Sequence, residues 1–89
     1  MQIRWSSSAD KHGVPHEDAI NAMLNYELRC SPFGTTRVAG RAAPDLFIGP
    51  GLDGTLLEVM VERTATGLVV FHVMAARPKI IDAARREQQ

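Results

Sequence analysis

Apolar residues alternate with polar ones in some stretches of the chain and recur at helical spacing in others, and these two periods lay out its elements. Ile3 and Trp5 alternate with Gln2 and Arg4, which predicts a short first strand in "MQIRW". "SSSADKHG" follows as a turn region. Pro15 suits the first position of a helix, and Glu17 and Asp18 place negative charge at its positive end. Ala19, Ile20, Met23 and Leu24 then fall on one stripe, so a helix is expected from about residue 15 to about residue 25. "YELRCS" carries a weak strand signal. "PFGTTRVAGRAAP" reads as a loop, with two Gly and two Pro among small and basic residues. "DLFIG" is a compact apolar strand stopped by the turn "GPGLDG". The two longest strand patterns, "TLLEVMVE" and "GLVVFHVM", are joined by "RTATG", where Gly67 suits a hairpin. Pro78 opens "PKIIDAARREQQ", whose Ile80, Ile81 and Ala84 share one side of a C-terminal helix. The expected fold is α+β: a small antiparallel sheet of three to four main strands against the N-terminal helix, followed by the C-terminal helix, in a single domain over residues 1–89.

Pairing the two long strands about their turn sets Val61 opposite Val69, Val59 opposite Phe71 and Leu57 opposite Val73. That all-apolar face is the expected core, covered by the first helix. The other face receives Glu58, Met60 and Glu62 from one strand and Leu68, Val70, His72 and Met74 from the other. A slip of one residue would mix the two sets. In this register His72 lies directly across from Glu58, where cross-strand side chains interact.

The pair has two readings. It is either a polar contact on a solvated sheet or part of an active surface, where a carboxylate orients an imidazole for proton transfer. Arg77 and Lys79 leave the end of the same strand, and Arg63 stands at the hairpin end. A histidine beside an acid and bordered by fixed positive charge has the groups that cleavage of an RNA backbone needs. One group takes the 2′-hydroxyl proton, one protonates the 5′-oxygen, and guanidinium groups hold the phosphate.

Charge and composition narrow the alternatives. Ten basic and ten acidic residues give a formal net charge of zero, which argues against a protein that coats nucleic acid broadly. The charge is uneven, however: Arg29, Arg37 and Arg41 occur in a stretch without an acid. No apolar run approaches the roughly 20 residues of a membrane helix. The first residues lack the apolar stretch of a secretory signal. One cysteine, Cys30, permits no internal disulfide, so a cytoplasmic location is the default expectation. No His/Cys cluster has metal-ligand spacing, and neither a metal nor another cofactor is expected. No glycine loop that cradles phosphate precedes a helix, and no Ser or Cys stands in a recognisable nucleophile setting. Both absences disfavour a metabolic enzyme.

A strand ending in Trp5, the turn "KHGV", a helix with an acidic first turn ("PHEDA"), an Arg-containing loop, "LFIG", "GTLLEV", and a last strand followed by Ala76-Arg77 run from Trp5 to about Arg77. This order of motifs resembles BrnT-type toxins. Such proteins are similar to the RelE superfamily of ribonuclease toxins, so the resemblance implies a RelE-like arrangement and a metal-independent endoribonuclease. It also implies a cognate antitoxin, often a ribbon–helix–helix DNA-binding protein. Carried over by position, it touches Lys11, His12 and Gly13 in the "KHG" turn and Arg77 in "AR". The chain departs from the pattern in Pro78 after Arg77, in having no tyrosine after Tyr26, and in its neutral charge.

The leading expectation is therefore a small toxin that cleaves RNA. His72 is its acid or base, Glu58 the orienter and Arg77 a phosphate binder, with Arg63, Lys79, Lys11 and His12 as RNA-binding residues. The alternative is an attenuated or non-catalytic interaction domain that binds an antitoxin through an exposed face of Met60, Met74, Leu68 and Val70.

Overall fold

A computed structural model describes residues 2–34 and 43–88. Arg37 and Arg41, and most of the expected loop around them, lie outside the described residues. The elements run β1 (Gln2–Trp5), a short 3-10 helix (Ser7–Asp10), α1 (His16–Leu24), β2 (Leu28–Cys30), β3 (Asp45–Pro50), β4 (Leu56–Arg63), β5 (Gly67–Ala75) and α2 (Pro78–Glu87). Five strands form one mixed sheet in the order β1-β5-β4-β3-β2. The fold is α+β as the periods predict, with two differences. The weak "YELRCS" signal is a true edge strand, and β1 joins β5 in parallel, so the sheet is not wholly antiparallel. Gly67 makes that junction possible: a Cβ there would overlap the Gln2 backbone.

Each face of the sheet carries one helix. On the first face α1 packs Ala19 and Ala22 against Phe47, Leu57, Val59, Val61, Val70 and Val73. The helix comes closest at Gly49, where any side chain would meet the Ala22 carbonyl oxygen. That approach explains a departure from the expected stripe: Ala22 is buried, whereas Leu24 is 76% exposed at the helix end. On the second face α2 sets Ala84, Ile80 and Ile81 against Cys30, Leu46 and Ile48, with Met60 packed alongside. The expected open, mixed face is thus largely a second core.

The pairing of β4 with β5 differs from the regular hairpin. Val59 pairs with Val73 and Met60 with His72, but Val61 pairs with Val70. Phe71 is the extra residue of a β-bulge, which reverses the alternation of faces before it. Val70 and Val73 therefore both point into the α1 core, and Val69 and Phe71, expected there, are only half-buried. The bulge falls where β1 ends. Trp5 is the last residue of β1 to pair with β5, opposite Val70. The Ser6 backbone N–H then donates to the Val70 carbonyl at 3.0 Å, and the Ser8 hydroxyl donates to the Phe71 carbonyl at 2.7 Å. Thus the 3-10 helix takes up backbone acceptors that a strand would otherwise bond.

Candidate functional site

Glu58 is the centre of the site. It comes from the middle of the β4 apolar run, on the α2 side, and is fully buried. A carboxylate taken out of water needs hydrogen bonds on both oxygens, and it has them. Oε1 accepts from the Arg77 backbone N–H at 2.9 Å and from Arg77 Nε–H at 3.1 Å. Oε2 accepts from Arg77 Nη2 at 2.8 Å and from His72 Nε2 at 2.7 Å. Burial raises the Glu58 carboxyl, and the Arg77 and His72 hydrogen bonds outweigh it, so the group lies below the usual carboxylate range. The Glu58 contact in turn holds the Arg77 guanidinium above its ordinary value.

Two consequences follow from an ionised Glu58. A carboxylate only accepts, so His72 Nε2 carries a proton and, in the neutral ring, Nδ1 is left as the acceptor. Arg77 is also the residue that caps α2, so the carboxylate sits at the positive end of that helix and fixes the direction in which the chain leaves β5. Of the guanidinium's donors, those on Nε and one on Nη2 are committed to Glu58. The side chain is still 37% exposed, and its remaining donors can meet an anion.

Glu58 and His72 are not placed as a regular hairpin would place them. Glu58 pairs with Met74 and His72 with Met60, so the two are diagonal rather than directly opposite. The side chains meet nonetheless, because diagonal neighbours remain within reach of long side chains.

His12 completes the cluster. The turn before α1 brings its ring edge-on to His72, with centroids 6.0 Å apart and planes at 77°. His12 is exposed. It also lines a groove of about 410 Å³ that runs past Val14, Asp18, Thr55, Leu57 and Met74 at the end of the sheet.

The remaining expected site residues stand apart. Lys11 is exposed at the end of the 3-10 helix, and Lys79 is exposed in the first turn of α2, two residues beyond Arg77. Arg63 lies at the far end of β4, where its Nε is 3.4 Å from buried Asp45, so it belongs to a different ion pair. The expected apolar partner face is not formed. Val70 is in the core, Leu68 packs against it, and Met60 packs under α2.

Two features escape a reading of the sequence. Asp45 is 2% exposed, bonded by the Ser31 hydroxyl at 2.9 Å and approached by Arg29 and Arg63. Its only signal is that an acid opens the apolar run "DLFIG". His16 stacks on Trp5 at 3.8 Å between centroids and contacts Asp10 at 2.6 Å, and nothing in their spacing announces this.

Among the described residues, no group of three or more His, Cys, Asp or Glu side chains is placed to hold a metal ion, and no helix is long and apolar enough to cross a membrane. Compared with protein-family models, curated proteins and solved structures, the chain matches none.

Proposed function

We propose that the chain is a metal-independent endoribonuclease, the toxin component of a type II toxin–antitoxin pair, with the Glu58–His72–Arg77 cluster as its active site. The observation that carries this reading is the 2.7 Å contact from His72 to a buried, ionised Glu58 that also binds Arg77. A catalytic imidazole has to be held in one tautomer and one orientation, and Glu58 does both. A guanidinium beside it, with donors still unused, supplies the charge that a phosphodiester gathers as it is cleaved. The resemblance to BrnT-type toxins adds a RelE-like arrangement, and the single cysteine a cytoplasmic setting. It also adds an antitoxin, often of the ribbon–helix–helix DNA-binding kind, as the partner that neutralises the chain.

The test is bacterial growth on induction of this chain beside His72→Ala and His72→Gln variants at matched soluble levels. Growth arrest by the parent and not by the variants, with cleaved RNA recovered from the arrested cells, is the expected result. If all three chains leave growth and RNA unchanged, the cluster is a structural clamp at the start of α2 and the ribonuclease reading fails.

A further inference from the structure

The proposed reaction needs two proton-transfer groups on opposite sides of one phosphate, and the Glu58 cluster supplies a single imidazole. We propose that His12 is the second: it is the general acid that protonates the leaving 5′-oxygen, with His72 as the base. This assignment rests on the ribonuclease reading.

It draws on three features. His12 meets His72 edge-on, with ring centroids 6.0 Å apart, so both imidazoles can reach one phosphate group laid against the cluster. His72 is already committed through Nε2–H to Glu58, which leaves Nδ1 to accept a proton, and the imidazolium so formed faces a carboxylate. That makes His72 the base. His12 is exposed and opens onto the groove, so the nucleoside that departs with the 5′-oxygen has space on the His12 side. Among the described residues no lysine or arginine lines that groove, and Asp18 and Asp53 do, which suits it to a neutral nucleoside rather than to a phosphate.

The 2′-oxygen bonds to phosphorus and its proton passes to His72 Nδ1. The bond from phosphorus to the 5′-oxygen breaks, its electron pair stays on that oxygen, and the oxygen takes the proton of the His12 imidazolium. The products are a 2′,3′-cyclic phosphate and a 5′-hydroxyl. Exchange with water returns His72 to its neutral form and His12 to its charged form.

The experiment uses an RNA oligonucleotide containing a site that the purified chain cleaves, synthesised with either the normal 5′-oxygen or a bridging 5′-sulfur at that site. A thiolate leaves without protonation, so the sulfur substrate does not need the acid. With the oxygen substrate, His12→Ala and His12→Gln should each cleave about 100-fold more slowly or worse, the scale of a lost acid–base group. With the sulfur substrate both should come within a few fold of the parent, while His72→Ala stays slow on both. Variants of His12 that match the parent on the oxygen substrate would overturn the assignment and leave the ribonuclease reading standing. Equal losses on both substrates would also overturn it, since binding or folding alone would then explain the defect. A parent chain that cleaves no RNA in a mixed pool would overturn both.

Discussion

Glu58→Gln isolates the charge at the centre of the fold. The side chain keeps its volume, so no cavity opens, and the change falls on hydrogen bonds alone. Glu58 accepts four of them, at 2.7, 2.8, 2.9 and 3.1 Å, three from Arg77 and one from His72. A glutamine can keep the two at its carbonyl oxygen. Its amide nitrogen then turns two donors toward whichever donors met the other carboxylate oxygen. Hydrogen bonds to charged groups contribute about 1.5–3 kcal/mol each, but Arg77 is 37% exposed and can turn to water. A loss of about 2–4 kcal/mol is therefore expected at neutral pH. For a chain of 89 residues that is a fall in Tm of roughly 10–25 °C.

The dependence on pH distinguishes charge from packing. The folded chain holds the Glu58 carboxyl below its ordinary value, so its contribution is complete above that value and disappears as pH falls through the folded one. Urea unfolding of both chains at pH 7 and at a series of lower values should show the gap between them closing through and below the ordinary carboxyl range. A gap under about 0.5 kcal/mol at pH 7, or one that stays constant on acidification, would refute the ionised, hydrogen-bonded Glu58 on which the site depends.

The bulge at Phe71 predicts that Val70→Ala costs about 2–3 kcal/mol in urea unfolding while Val69→Ala costs under about 1, because only Val70 is in the core. Comparable losses, or the reverse order, would restore the regular register. Gly49→Ala drives a methyl into the α1 backbone at Ala22 and should lower stability by about 1–3 kcal/mol or more, read as a fall in Tm. Burial pushes the Cys30 thiol up, against a hydrogen bond from Gln88 and with Glu87 adding to the rise. Its alkylation in the native chain should therefore be slower than in urea and should accelerate at higher pH than for a free thiol.

The elements of this fold were legible because the periods that specify them are local. Ile80, Ile81 and Ala84 repeat at helical spacing and do pack together, and Leu57, Val59 and Val61 alternate and do share one face. What could not be read depends on contacts between distant segments. Nothing within "GLVVFHVM" marks Phe71 as an extra residue, since the bulge coincides with the end of β1 and with a hydroxyl, Ser8, some sixty positions away. The same error carried Val69, Val70 and Phe71 to the wrong faces. The second core is of the same kind: the period of α2 is local, but its packing against Cys30, Leu46 and Ile48 joins segments far apart in sequence. For the site, the meeting of His72 with Glu58 survived a register error because both lie beyond the bulge, on the α2 side. The approach of His12 cannot be derived from spacing, because α1 and the strands β2, β3 and β4 separate it from His72 in sequence.

The bulge and the buried carboxylate act on the same few side chains, and neither would be enough alone. Without the extra residue, the alternation that puts Val73 in the α1 core would send Val70 to the α2 side, and a valine would be lost from the first core. With it, β5 keeps Val70 and Val73 in one core and still presents His72 to the other side, so the imidazole is displayed with no apolar residue given up. Glu58 then decides how that imidazole is held. Its Oε1 ties down the start of α2 and its Oε2 joins His72 to Arg77, so the direction of α2 and the geometry of the cluster are set by one side chain. A carboxylate used only to cap a helix could sit at the surface, where water would screen and solvate it. Burial demands several kcal/mol of compensating contacts, and here those contacts run through an exposed guanidinium and a partly exposed imidazole. Arg77 alone already meets both carboxylate oxygens and ties down the start of α2. The histidine adds the fourth hydrogen bond, and it is the part of the cluster that faces His12.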